Sequence, residues 1–251
     1  MKHPNPFRLN SVSPLLAAAL AAWIELSAPT TAQAQPKYGP ATTRLSQDHA
    51  YFRTAKVTDF WSLIPYYVPQ VKENNCGLAS IAMILNAARA SWELNQDTPL
   101  VTEAALESKV GRIPLFGMNG LEHLQKVTIS GFEKYDIKGV RIDIVRIEPS
   151  EPKALQKLRS ILREVERDPK VYLIANFDQN VFTDDMPIGH IAPIGAYDPV
   201  NKKVLVLDPD REWYEPYWVP DALFLKGIQT QDTFVNKTRG LIRVQLPEQT
   251  R

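Results

Sequence analysis

Residues 76–89, CGLASIAMILNAAR, constrain the fold more than any other stretch of the chain. Leu78, Ile81, Ala82, Leu85 and Ala88 recur at helical spacing, and Ala79, Met83 and Ile84 fill the faces between them. A helix that is apolar all round has to lie in the middle of a domain, covered on every side. The spacing therefore predicts a buried central helix over 76–89. Its first residue is Cys76, the one cysteine among 251 residues.

Two readings of Cys76 stand side by side. Most free cysteines are small buried hydrophobes. At a helix start, however, unpaired N–H groups and the helix dipole favour negative charge, and so favour a nucleophilic thiolate. Gly77 leaves no side chain beside the sulfur, which would let a substrate carbonyl approach closely. Gln70 precedes Cys76 by six residues on an extended approach. Its amide, folded back beside the sulfur, would form an oxyanion hole with the Cys76 N–H.

The N-terminal residues are of another kind. Lys2 and Arg8 open the chain, PLLAAALAAWIEL follows as an apolar segment, and Ala32 and Ala34 offer small residues at the positions a cleavage site needs. The expectation is a signal segment over 1–34, cleaved after Ala34, with export to the periplasm. An uncleaved N-terminal anchor is the alternative. An exported chain with one cysteine cannot close an internal disulfide, and it cannot build a multi-cysteine zinc site. The net charge of +1, with no basic block, gives no electrostatic reason to expect nucleic acid or a membrane surface as partner.

The rest of the chain, 35–251, reads as a single domain. Residues 35–60 are polar and read as an irregular arm. WSLIPYYVPQ (61–70) reads as extended, because Pro65 and Pro69 oppose a helix. Thr102 is a candidate cap for a helix in TEAALESKV, and a short helix is expected around Leu121 and Leu124. GVRIDIVRI alternates as a half-buried strand does. Ser150 is the expected N-cap of a helix whose stripe is Leu155, Leu158, Leu162 and Val165. Strands are expected over 170–177, 189–198, 202–210 and 240–246, with DPVN (198–201) as the tight turn of a hairpin. Helices first and an antiparallel sheet later make an α+β arrangement.

A thiolate needs a base. His49 lies in the arm and is expected to face solvent. His123, next to Glu122, reads as half of a surface pair. His190 opens the strand GHIAPIGAYD, and Asp208 ends the next strand, VLVLD. With the turn centred near 199–200, residue 190 falls opposite 209–210, so the Asp208 carboxylate can reach the imidazole. There it would fix the tautomer and stabilise the imidazolium. A structural histidine and a plain turn aspartate remain the alternative.

NCGLASIAMILNA, GHIAPIGAYDPVNKKVLVLD, DPDREWYEPYWVP and KTRGLIRV, in that order, resemble the catalytic domain of phytochelatin synthases over about 45–246. The resemblance implies a papain-like fold, with the Cys on a central buried helix packed on an antiparallel sheet that carries His and Asp. It implies that Cys76 is the acylated nucleophile, His190 the general base and acid, Asp208 the orienting carboxylate and Gln70 the oxyanion donor. Arg239, Gly189, Tyr197 and Arg211 are carried over as substrate-contacting candidates. The substrate it implies is glutathione, cleaved at the Cys–Gly bond through a γ-Glu-Cys acyl-enzyme. Water, or a second glutathione, then takes the acyl group. No resident metal or cofactor is implied; Cd or Zn would enter only as a glutathione thiolate. A homodimer is left open.

Residues 90–135 match that family poorly, apart from GMNGLEHL. The family usually places an arginine after the strand preceding the histidine; Asp178 and Gln179 stand here, and Asp184 and Asp185 follow. An acidic mouth disfavours a second anionic glutathione and leans the expectation toward hydrolysis. Two further functions remain in view. A bacteriocin-processing-like cysteine peptidase also sets a Gln six residues before a CG nucleophile. An inactive papain-like binding module is the third, although it would have no need of Gln70, Cys76, His190 and Asp208 together.

Overall fold

A computed structural model describes residues 37–90, 95–114 and 117–248, so the signal-segment expectation over 1–34 lies outside the described residues. In chain order the elements are β1 (Thr43–Arg44), α1 (Thr58–Leu63), α2 (Cys76–Ala88), α3 (Glu103–Val110), α4 (Gly120–Lys134), β2 (Arg141–Val145), α5 (Ala154–Arg167), β3 (Val171–Asp178), β4 (Gly189–Asp198), β5 (Lys203–Val206), β6 (Tyr217–Pro220), α6 (Asp221–Ile228), β7 (Gln231–Asp232), β8 (Lys237–Thr238) and β9 (Gly240–Gln245). Among the described residues seven strands form one sheet in the order β1-β6-β5-β4-β3-β9-β2. Every neighbouring pair in it is antiparallel. None of the described helices is long and apolar enough to cross a membrane.

The sheet divides the core in two. On one face lies α2, whose residues from Cys76 to Ala87 are all buried, as a helix without a polar face requires. Leu78, Ile81 and Leu85 pack there with Ile174, Ile191, Ile242 and Val244 from the strands and with Leu106 and Leu124 from α3 and α4. On the other face, Leu158, Leu162 and Val165 of α5 and Phe224 and Ile228 of α6 cover Leu173, Phe177, Val204 and Leu241. Strand period explains the split: along β3, Tyr172 and Ile174 join the first cluster while Val171, Leu173 and Phe177 join the second. Full burial of one such aliphatic side chain stabilises by about 1.5–3 kcal/mol.

The β4–β5 hairpin forms as the sequence suggests. The Asp198 carboxylate accepts the N–H groups of Val200 and Asn201 and closes the turn. Ile194 pairs with Val206 but Ala196 with Leu205, so β4 carries a bulge at Gly195. A Cβ at Gly195 would stand 2.8 Å from Leu207 Cγ, which is why glycine occupies that position.

Three local expectations are corrected. Residues 61–66 are helical rather than extended: α1 runs to Leu63 and a 3₁₀ turn continues over Ile64–Tyr66. Pro65 lies in the first turn of that 3₁₀ segment, where its missing N–H costs nothing. The helix after residue 120 has 15 residues and is not short. Ser150 does not cap α5, which begins at Ala154 with Lys153 at the N-cap in a left-handed conformation. Pro152 disfavours helical backbone at Glu151, so the helix cannot start from Ser150. Thr102 does cap α3, its hydroxyl accepting the Ala105 N–H at 3.1 Å.

Candidate active site

Cys76 is the first residue of α2. Asn75 holds the N-cap position, yet its side chain makes no cap hydrogen bond. The first backbone N–H groups of the helix are therefore left without that partner, beside the sulfur. The Ser80 hydroxyl bonds the Cys76 carbonyl at 2.7 Å and the Ile191 carbonyl at 3.2 Å. That one side chain ties the first turn of α2 to β4, one residue beyond His190.

The hairpin brings His190 and Asp208 together. Extending the pairing of Ile194 with Val206 sets residue 190 opposite 210, as the turn predicted, and Asp208 reaches across. His190 Nε2 lies 2.7 Å from Asp208 Oδ1. That pairing leaves Nδ1 as the nitrogen without Asp208, and Cys76 lies near enough to act on the imidazole. Burial alone would pull the imidazolium down. The Asp208 charge and hydrogen bond, with a smaller contribution from Cys76, outweigh it and hold His190 well above its ordinary value. Phe177 packs edge-on against the imidazole, with ring centroids 5.5 Å apart.

Asp208 is wholly buried, and its carboxylate is fully used. Besides His190 it accepts the Asp210 N–H at 2.9 Å and the Tyr217 hydroxyl at 2.9 Å. The Tyr67 hydroxyl bonds the Asp208 carbonyl. Tyr67 and Tyr217 were not legible in the sequence as parts of this group, because they approach from the end of the 3₁₀ turn after α1 and from β6. Their only signal was an aromatic in WSLIPYYVPQ and another in YEPYWVP.

The remaining site candidates are sorted by the structure. Gln70 lies in the arm that leads to Cys76, its backbone N–H held by the Pro209 carbonyl at 2.8 Å. Its Nε2 reaches the Glu73 carbonyl at 3.4 Å, and its Oε1 is buried without a partner. Arg239 is buried beside β4: a Cβ on Gly189 would stand 2.5 Å from Arg239 Nη1. Gly189 thus makes room for the guanidinium one residue from His190. Arg239 Nη1 donates to Asn176 Oδ1 at 2.8 Å and lies 3.5 Å from Asp232 Oδ2, while Nε is buried without a partner. Burial pulls Arg239 down, and Asp232 and Asp178 oppose that pull.

Two candidates have their hydrogen-bond partners elsewhere than Cys76 and His190. Tyr197 is seven residues along β4 from His190, on the order of 20 Å at strand rise. It belongs to the core under α5 and α6, where its hydroxyl donates to Asp221 Oδ2 at 3.0 Å. Arg211 is exposed, bonds the Tyr214 carbonyl at 2.7 Å and stacks on Tyr67, so it supports Tyr67 at the rim. Gly77 also differs from its expectation. The space above it is taken by Met118 and Ile191, with Met118 Sδ 2.7 Å from where a Cβ would be. His49 is exposed and bonds Arg53 at 3.0 Å, and His123 accepts the Asn119 N–H at 3.3 Å. Glu122 pairs with Arg146 and Lys237 and not with its neighbour His123.

The two asparagines before Cys76 are structural ties. Asn74 Nδ2 donates to the Pro114 carbonyl at 2.8 Å. Asn75, fully buried, donates to Glu103 Oε1 at 2.7 Å.

Comparison with known proteins finds relatives over most of the described domain. The family model described as phytochelatin synthase matches residues 41–241. Glutathione gamma-glutamylcysteinyltransferase 1 of Arabidopsis thaliana is 24% identical over 196 residues, 75% of this chain and 37% of its own length. Glutathione gamma-glutamylcysteinyltransferase 2 of the same plant is also 24% identical, over 75% of this chain and 40% of its own. The enzyme of that name (1) from Triticum aestivum is 25% identical over 74% and 35%. The chain thus spans about two fifths of the length of these curated relatives.

Proposed function

The chain belongs to the phytochelatin synthase family, and from that premise we propose that it is a papain-like thiol enzyme that cleaves the Cys–Gly bond of glutathione. The observation that carries the reading is the convergence of Cys76, His190 and Asp208, with Asp208 on Nε2 and Cys76 close enough to act on the imidazole. The Cys76 thiolate attacks the carbonyl carbon of the Cys residue in glutathione. The oxyanion is stabilised by the Cys76 N–H and by Gln70, whose side chain would have to turn from Glu73 toward the bound carbonyl. His190, as imidazolium, gives its proton to the glycine nitrogen as the C–N bond breaks. Glycine leaves, and γ-Glu-Cys remains as a thioester on Cys76. His190, now neutral, takes a proton from water or from the thiol or amine of an acceptor, and the thiolate is released.

Arg239 is suited to a substrate carboxylate, because a guanidinium partly offset by Asp232 retains donors for a second anion. Water is the favoured acyl acceptor. Asp178 acts on Arg239 and Asp210 on His190, two carboxylates near the site, although Asp185 is offset by Lys37 at 3.0 Å and held by the Tyr214 hydroxyl at 2.9 Å. Cd or Zn then enters only as a glutathione thiolate. With residues 1–34 read as an export segment, the reaction is placed in the periplasm.

The test is incubation of the purified protein with glutathione, with and without Cd²⁺, and separation of the products. Release of Gly and γ-Glu-Cys that is lost in Cys76→Ala supports the reading. Chains of γ-Glu-Cys units as the main product would replace hydrolysis by transfer. Cleavage of Gly-Gly leader peptides with no action on glutathione would favour the peptidase reading.

A further inference from the structure

Glu103 is a buried carboxylate that the chemistry above does not use. It is the first residue of α3, 4% exposed, and no lysine or arginine among the described residues bonds it. Its two oxygens instead hold the arm between Gln70 and Cys76 at both ends. Oε2 accepts the Val71 N–H at 2.6 Å, and Oε1 accepts Asn75 Nδ2 at 2.7 Å. Val71 follows the oxyanion candidate, and Asn75 precedes the nucleophile. Two bonds of this length fix direction as well as distance. One turn further along α3, Glu107 pairs with Lys72 of the same arm, but that lysine is half exposed and the pair adds little.

We propose that Glu103 is a positioning residue that sets the separation of Gln70 from Cys76, and thereby the geometry of the oxyanion hole. Asn75, whose Oδ1 is buried without a partner, is the other half of the device. The proposal rests on the reading of Cys76 as nucleophile and Gln70 as oxyanion donor. It predicts a separation of two rates at the same sulfur. Alkylation by iodoacetamide needs the thiolate but develops no oxyanion. Acylation by p-nitrophenyl acetate needs both.

Both rates are measured at Cys76 in the wild type, Glu103→Ala, Glu103→Gln, Asn75→Ala and Lys72→Ala, with folding checked by near-UV circular dichroism. In Glu103→Ala acylation should fall by at least about tenfold while alkylation stays within about twofold. Glu103→Gln should recover most of the acylation rate, because its Oε1 still accepts the Val71 N–H and its Nε2 can donate to a reoriented Asn75. Lys72→Ala should match the wild type. Should Glu103→Ala fail to fold, Asn75→Ala removes one of the two bonds and should show the same separation, weaker in size. Equal loss of both rates, or acylation within about twofold of wild type in folded Glu103→Ala and Asn75→Ala, overturns the proposal. A wild type that is not acylated at Cys76 overturns it together with the nucleophile. A wild type acylated by the ester but inert toward glutathione leaves the strut standing and defeats only the substrate assignment.

Discussion

Asp208→Asn is the perturbation that tests the electrostatics of the site most directly. The amide has nearly the shape of the carboxylate. It can keep an oxygen on His190 Nε2 and on the Asp210 N–H while its nitrogen turns to the Tyr217 oxygen. Packing is therefore retained, and what is removed is one buried negative charge. With about 4 Å between charge centres and an effective dielectric of about 20, that charge favours the imidazolium by about 4 kcal/mol, of which the amide's dipole and hydrogen bond recover about 1. The remaining ~3 kcal/mol corresponds to about 10² in the population of the thiolate–imidazolium pair at neutral pH. The assay is kcat/KM for release of glycine across a pH series. The expected result is a fall of about 10² at neutral pH, with the alkaline limb moved to lower pH because His190 loses the partner that raises it. Linkage gives a second reading with a definite sign. A histidine raised on folding adds stability that is complete below about pH 6.5 and is lost as pH rises through its folded value. The wild type should therefore lose stability on the alkaline side, and Asp208→Asn should lose less. A kcat/KM within about threefold of wild type, with the alkaline limb unmoved, would refute this account of the site.

The other expectations concern the remaining candidates and the core. Arg239→Lys keeps a charge but loses the planar fork, and KM for glutathione should rise by about tenfold with kcat changed less; a fall in kcat alone would assign Arg239 to support of β4. Tyr197→Phe removes a buried hydroxyl bond to Asp221 some seven residues from His190, so stability should drop by about 1 kcal/mol in urea unfolding while glycine release stays within about twofold. A large rise in KM for that variant would return Tyr197 to the substrate site. Leu85→Ala, at a fully buried position in α2, should cost about 2–5 kcal/mol; a loss under about 1 kcal/mol would show that this face of the helix is loosely covered.

The sequence alone determined the parts of this protein that local chemistry controls. An all-apolar run of helical length had to be a central helix, whatever surrounded it, because no face of it can meet water. The turn DPVN had to join two strands, and counting along them was enough to bring Asp208 within reach of His190. The same counting put Tyr197 in a strand but could not say which layer it enters. That depends on the bulge at Gly195, a position where Leu207, just past the end of β5, leaves no room for a Cβ. Proline was read as opposing a helix at 65 because its effect depends on position within a turn, and that position is set by how the arm packs. The ties at the site join residues far apart in the chain: Asn75 to Glu103, Tyr67 to Asp208, Ser80 to Ile191, Arg239 to Asn176. None of them leaves a periodic or compositional mark, since each is a single polar side chain meeting one partner. They exist because burying those polar atoms without partners would cost more than the sheet and helices can offset, so the choice of partner belongs to the tertiary structure. The sequence singled out Cys76, His190 and Asp208 as candidates; the packed fold decided what holds them still.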